Sequence, residues 1–260
     1  MNSPAVSMKL QLIRNATMRL NFGSTGILTD PFFAAKYTLR SYVGKSRNPL
    51  VDVPMPPAEA LAGVDLILLS HLHSDHFDRS AQEILPKHVD ICCQPQDEAR
   101  LKAWGFSKVH PVGEEITFKN VRIIQTEAQH GKGDVLEEMG PASGYVFISS
   151  QEPTVYWIGD SVLCEKVFKT IDRFRPEVII THSSGAVWGK GNKLIVMDAE
   201  QTLQICSYAK ASRVVAVHLD ALDHGTVSRN DLKLRRKQAN VSSDRLIIPK
   251  DGETLSLEKN

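Results

Sequence analysis

The run Val64-Asp65-Leu66-Ile67-Leu68-Leu69-Ser70 stops directly against His71-Leu72-His73-Ser74-Asp75-His76. The first half is apolar at almost every position, which predicts a strand buried on both faces. Such a strand needs cover above and below it. The second half crowds four potential metal ligands into six residues. His71 and His73 stand two apart at the strand end, so an extended chain points both to one side. Asp75 and His76 follow where the chain turns toward a helix. Imidazole and carboxylate suit zinc and neighbouring divalent ions. The cluster also lies just past a buried strand, where layered α/β folds place their sites.

The rest of the chain supports a layered reading. KLQLIR (9–14), TMRLNF (17–22) and GILT (26–29) are separated by Asn15, Gly23 and Gly26 and predict an antiparallel meander. Residues 31–60 carry Pro31, Pro49, Pro54, Pro56 and Pro57 and predict a long loop. Strand 64–70 is followed by a helix over 78–85, strand 89–94 and a helix over 97–105 ended by glycine. Strands at 115–118, 121–128, 144–150 and 154–159 come next, then a helix over 161–174 and strand 177–181. Asp198 reads as an N-cap with Gln201 as its box partner, opening a helix to Lys210. Strand 213–218, a helix over 228–238 and strand-like segments 245–249 and 253–257 close the chain. Each half begins with a meander and continues with helix–strand alternation. Two β layers packed together with helices outside are expected. A chain of 260 residues suits one large domain or two small ones. No linker, low-complexity tract or short repeat appears, so a single domain over 1–260 is the reading.

Further ligand types recur at strand ends. His130 follows VRIIQTEA, Asp160 follows TVYWIG and His218 ends VVAVH. With the first cluster they make seven ligands, enough for two metals and a shared carboxylate. This order, His-x-His-x-Asp-His, then His, then Asp, then His, resembles the metallo-β-lactamase superfamily. Within it the chain is similar to the subgroup related to L-ascorbate-6-phosphate lactonase. Leu28-Thr29-Asp30-Pro31, Gly159-Asp160-Ser161 and Met197-Asp198-Ala199-Glu200 carry the resemblance along nearly the whole chain. It implies an α/β fold of four layers, an αβ/βα sandwich. It implies that His71, His73 and His130 bind one metal, that Asp75, His76 and His218 bind a second, and that Asp160 bridges them. One departure is visible. Near Asn15-Ala16-Thr17 many lactonase-like relatives carry a histidine, and this chain does not.

The expected chemistry is hydrolysis by a hydroxide shared between two divalent cations, zinc foremost and manganese as the alternative. The expected substrate is a small anionic ester or lactone. Asp75 is expected to orient the nucleophile as well as bind metal. A phosphodiesterase or nuclease of the same fold is the alternative. Redox chemistry is a weaker one, because di-iron relatives carry glutamate where this chain has His73. A binding protein that lost its metals is weaker again, since all seven ligand positions are filled. Asp30 is a candidate to hold the ligand loop by hydrogen bonds, or simply a turn former before Pro31. His182 ends strand 177–181 and could line the pocket. His224 is the candidate general acid or anion holder, with a helix cap as its plainer role. Arg40, Lys45 and Arg47 could steer an anion or only solvate the 31–60 loop. Trp188 could wall the pocket or belong to the core.

With 31 basic and 30 acidic residues the net charge is +1, which gives no electrostatic case for nucleic acid or a membrane surface. Cys92, Cys93, Cys164 and Cys206 form no Cys-x-x-Cys pair and read as reduced core residues. MNSPAVSMKLQLIRN has no apolar signal region, and no stretch approaches the roughly 20 apolar residues of a membrane span. A cytoplasmic protein acting on a small molecule is expected, with homo-oligomerisation open.

Overall fold

The structure, a computed structural model, describes residues 7–259. Residues 1–6, part of the segment read above for an export signal, and Asn260 lie outside the described residues. The first six strands are β1 Ser7–Arg14, β2 Thr17–Phe22, β3 Thr25–Thr29, β4 Leu66–Leu68, β5 Asp90–Cys93 and β6 Lys108–Pro111. Five more follow: β7 Glu115–Phe118, β8 Val121–Ala128, β9 Ala142–Ile148, β10 Val155–Trp157 and β11 Val178–His182. The last five are β12 Val187–Trp188, β13 Lys193–Leu194, β14 Arg213–Val217, β15 Leu246–Ile247 and β16 Thr254–Glu258. The helices are α1 Pro57–Ala60, α2 Arg79–Ile84, α3 Glu98–Ala103, α4 Asp134–Met139, α5 Glu165–Phe174, α6 Ala199–Tyr208 and α7 Arg229–Gln238.

Two seven-stranded sheets result, ordered β16-β1-β2-β3-β4-β5-β6 and β15-β14-β11-β10-β9-β8-β7. In each, the early strands pair antiparallel and the later ones parallel, except that β16 returns antiparallel to β1. That is the meander-then-alternation order expected from the sequence. The period-2 alternation of a strand explains the layers. Leu66 and Leu68 face the second sheet in one core, with Leu20, Phe22, Phe147 and Trp157. Ile67 and Leu69 face the other way, with Phe77, Ala81 and Leu101 on the α2 and α3 side. Cys92 and Cys93 split between the same two cores, and all four cysteines are free. Behind the second sheet, Tyr156 and Ile179 pack with Val167, Ile171, Ile205 and Leu232 of α5, α6 and α7. Helix, sheet, sheet, helix is the four-layer sandwich. Truncating a fully buried Leu68 to alanine there costs about 2–5 kcal/mol. No helix among the described residues is long and apolar enough to cross a membrane.

Some local expectations shift. The helix expected from Ser161 begins at Glu165, because residues 161–163 spend their backbone elsewhere. The Val162 amide donates to the Gln129 carbonyl at 2.8 Å, and Ser161 carbonyl accepts from the Met197 amide at 2.9 Å. Asp198 does cap α6 through the Gln201 amide. The Gln201 side chain does not return the bond: it accepts from the Leu163 amide at 2.7 Å. α4, β6 and the β12–β13 hairpin were not anticipated. The 31–60 loop holds α1 and an isolated bridge between Leu39 and Asn48.

Candidate metal centre

The ligand types arrive from strand ends. His71 follows β4, and the chain then turns sharply, with the His76 and Phe77 amides donating to the His73 carbonyl at 3.0 and 2.9 Å. Asp78 caps α2 through the Ser80 and Ala81 amides and fixes where the turn ends. His130 follows β8, Asp160 follows β10, and His218 follows β14. His218 sits at φ 62°, a left-handed conformation costly for a side-chain-bearing residue, and its amide is held by the Asn15 carbonyl at 3.0 Å.

All seven predicted residues converge in two groups. His71, His73 and His130 bring one ligand atom each within 4.8 Å of one another, as do Asp75, His76, Asp160 and His218. Asp160 links the groups: its Oδ2 lies 3.1 Å from His76 Nε2 and 3.5 Å from His130 Nε2. Asp75 Oδ2 lies 3.5 Å from both His76 Nε2 and His218 Nε2.

Outer partners aim these rings. His130 Nδ1 donates to the Ile195 carbonyl at 2.9 Å, so its Nε2 is a bare lone pair turned to Asp160. His76 Nδ1 donates to Asp30 Oδ2 at 2.6 Å, which turns its Nε2 toward two carboxylates. Ser70 Oγ donates to Asp30 Oδ2 at 2.6 Å and therefore accepts from His71 Nδ1 at 2.9 Å. His71 Nε2 is then bare, 2.9 Å from His73 Nδ1. His218 Nε2 is buried with no hydrogen-bond partner. Two carboxylates and five imidazoles turned on one another in a dry site call for positive charge between them, which a cation supplies. The donor set fits divalent metals on that ground.

Burial opposes a charge on His76, but Asp160, Asp75 and Asp30 hold it well above the ordinary imidazole range, so positive charge is favoured between the carboxylates. Burial holds His71, His73 and His130 below the ordinary imidazole range, so their nitrogens are free to coordinate near neutral pH. Burial alone would raise Asp75 and Asp160, but the facing His76 and His218 hold both carboxylates low and ionised.

Asp30 accepts from the Ser70 amide at 2.8 Å as well as from Ser70 Oγ and His76, so it ties the ligand loop together. His182 has both nitrogens engaged. Nε2 accepts from Trp157 Nε1 at 2.9 Å, and Nδ1 donates to Asp160 Oδ1 at 2.5 Å. It orients a carboxylate and does not line the cavity. His224 does line it. It caps no helix, since α7 is capped by Ser228 and Asp231. Burial lowers its pKa to about 4, so near neutrality it is an uncharged ring and not a stock of acid.

The cavity over the cluster is about 200 Å³ and is lined by Tyr42, Ser74, Glu138, Met139, Trp188, Ile195 and His224 besides the ligand types. No lysine or arginine lines it. Arg40, Lys45 and Arg47 are exposed, and the Arg47 guanidinium is spent on the Tyr37 and Thr38 carbonyls at 2.7 and 2.8 Å. These three residues fit the solvated loop face and not the steering role. A wider recess of about 1140 Å³ along β8 and α5 contains none of the histidines. Sequence reasoning passed over Asn15, Ser70, Ser184, Tyr42 and Asp223. Asn15 stands where lactonase-like relatives were noted to carry histidine, and its side chain donates to the Asp75 carbonyl at 3.0 Å.

A family described as "Beta-lactamase superfamily domain" matches residues 25–219. The UPF0173 protein YddR of Bacillus subtilis (strain 168) is 32% identical over 257 residues, 95% of this chain and 99% of that protein. A crystal structure described as that of "a possible metal-dependent hydrolase" from Veillonella parvula DSM 2008 superposes with a TM-score of 0.93 at 32% identity, covering 97% of this chain and 100% of its own. The isothiocyanate hydrolase from Delia radicum gut bacteria superposes with a TM-score of 0.90 at 32% identity, covering 96% and 99%.

Proposed function

This chain belongs to the beta-lactamase superfamily, and from that premise we propose a metal-dependent hydrolase that holds two divalent cations and acts on a small uncharged molecule at an electrophilic carbon. The observation that carries the reading is the inward aim of the ring nitrogens. His71, His76 and His130 each engage Nδ1 with an outer partner and turn Nε2 toward Asp160 or its neighbours. His71, His73 and His130 would hold one cation, Asp75, His76 and His218 the other, and Asp160 both. Zinc suits these ligands, and manganese is the second choice.

Cations bound there supply water ionised near neutral pH and positive charge for an oxygen or sulfur anion developing in the substrate. The chain does the positioning. Asp75, ionised and held by Asn15 through its carbonyl, accepts a hydrogen bond from the attacking water. Trp157 and His182 keep the Asp160 carboxylate from rotating. Tyr42, Met139, Trp188 and Ile195 keep bulk water out.

A cavity below the roughly 300–1,000 Å³ of drug-sized sites selects small molecules. The absence of a lining lysine or arginine favours a neutral one. Esters and lactones qualify, and so do isothiocyanates, the substrates named for the 32%-identical neighbour. For an isothiocyanate, water oxygen bonds to the central carbon, the carbon–nitrogen bond breaks, and nitrogen takes both water protons. The products are a primary amine and carbonyl sulfide. Metal-stripped protein reloaded with zinc or manganese should consume isothiocyanates, esters or lactones. Turnover of phosphodiesters alone would replace this reading with the phosphodiesterase alternative.

A further inference from the structure

Three rings from three separate segments meet above the cluster. Tyr42 lies in the 31–60 loop, Trp188 on β12 and His224 beyond β14. The Tyr42 ring centroid is 5.0 Å from His224 and 6.4 Å from Trp188, at interplanar angles of 57° and 60°. Each ring is fixed. Tyr42 Oη bonds Ser74 Oγ at 2.7 Å, Trp188 Nε1 donates to Glu138 Oε2 at 2.9 Å, and the His224 carbonyl accepts from the Val187 amide at 3.1 Å.

The loop that brings Tyr42 inward is folded around one carboxylate. Asp223 accepts from the Tyr42 amide at 3.0 Å, from the Lys45 and Ser46 amides at 3.3 Å, from the Ser41 hydroxyl and from Asn48 Nδ2 at 2.9 Å. Asn48 Oδ1 returns a bond from the Asp223 amide at 2.8 Å. Backbone amides gathered on one anion form a stiff nest. Asp223 is the neighbour of His224 in the chain, so one residue sets the spacing between two of the three rings.

We propose that Tyr42, Trp188 and His224 form a recess for the flat apolar substituent of the substrate, and that Asp223 is the positioning residue that keeps the recess open. The inference rests on the reading of a small carbon electrophile above and adds which one: a molecule bearing an aryl or arylmethyl group. Flat groups gain from tilted ring contacts beyond their buried area. An uncharged His224 ring serves as such a face. A short alkyl chain gains little there.

The test compares benzyl with methyl isothiocyanate on the zinc-loaded full chain. Trp188→Ala should lower kcat/KM for the benzyl compound about tenfold more than for the methyl compound, mostly through KM. Asp223→Asn should shift the ratio the same way, with metal content retained, while Tyr42→Phe should keep the wild-type ratio. Equal losses on both compounds would overturn the recess, because a structural or chemical defect does not read the tail. Ligand-observed NMR with benzyl alcohol separates this inference from the activity itself. If the wild type hydrolyses neither isothiocyanate yet binds benzyl alcohol more strongly than Trp188→Ala does, the activity reading fails and the recess stands. If the wild type binds benzyl alcohol no better than Trp188→Ala, the recess is wrong. Melting temperatures of each variant exclude unfolding as the cause.

Discussion

His71, His73 and His130 form a group without a carboxylate of its own, whereas Asp75, His76, Asp160 and His218 bring two. The first group is three neutral lone-pair donors kept neutral by burial. The second carries two ionised oxygens whose charge attracts a cation from a distance. The groups touch through Asp160. One consequence is unequal retention. With neutral donors alone besides the shared Asp160, the three-histidine group should release its cation first to a chelator.

The shared carboxylate gives the largest expected effect. Asp160→Ala should empty both groups and lower turnover about 10³-fold, since metal and oxyanion stabilisation go together. Elemental analysis with kinetics checks it, and a variant that keeps one full equivalent would show that the groups are independent. His218→Ala comes next. Only the carboxylate-bearing group should empty, with metal content falling toward one per chain and the melting temperature of the metal-free protein nearly unchanged. Retention of both equivalents would remove His218 from the set.

Asp30→Asn should weaken metal affinity about 10–100-fold, the usual size of an outer-partner effect. Competition with a graded chelator measures it. An unchanged affinity would reduce Asp30 to a turn former. The smallest effect tests burial without ligation. His224 titrates at about 4 in the fold against an unfolded value near 6.5, so its contribution is complete above 6.5 and falls as pH drops toward 4. Between pH 6.5 and 5.5 the metal-free protein should lose about 1 kcal/mol to this group. Urea unfolding of wild type and His224→Gln at both pH values isolates it, and equal slopes would mean that His224 is charged in the fold.

The ligand types were legible because each stands at the end of a strand that announces itself by composition: Leu66 to Leu69, Val155 to Ile158, Val214 to Val217. Their spacing and chemistry are local. The layering was legible for the same reason, since Leu66 and Ile67 must face different cores. What escaped is long-range or backbone-borne. Gln201 looked like a partner for Asp198, but its oxygen met the Leu163 amide, 38 residues away. Asp223 accepts from a loop some 180 residues earlier, and nothing in Leu222-Asp223-His224 signals that. α4 lies between Gly133 and Gly140, both at positive φ, and six residues are too few for a helical period to show. Arg40, Lys45 and Arg47 left two readings open in the sequence, and their exposure matches the plainer one, a solvated loop face.

The pairing of β1 with β16 joins Met8 to Leu257, separated by about 250 positions. On a ribosome adding about 5–20 residues each second, β1 waits on the order of ten to fifty seconds for that neighbour. Its outer edge stays open for that whole interval, while β2 can already close the inner one. Asn15, in the turn just after that strand, holds both Asp75 and His218. The last ligand type, His218, is made before β16, so the ligand set is complete while the outer edge of β1 is still open.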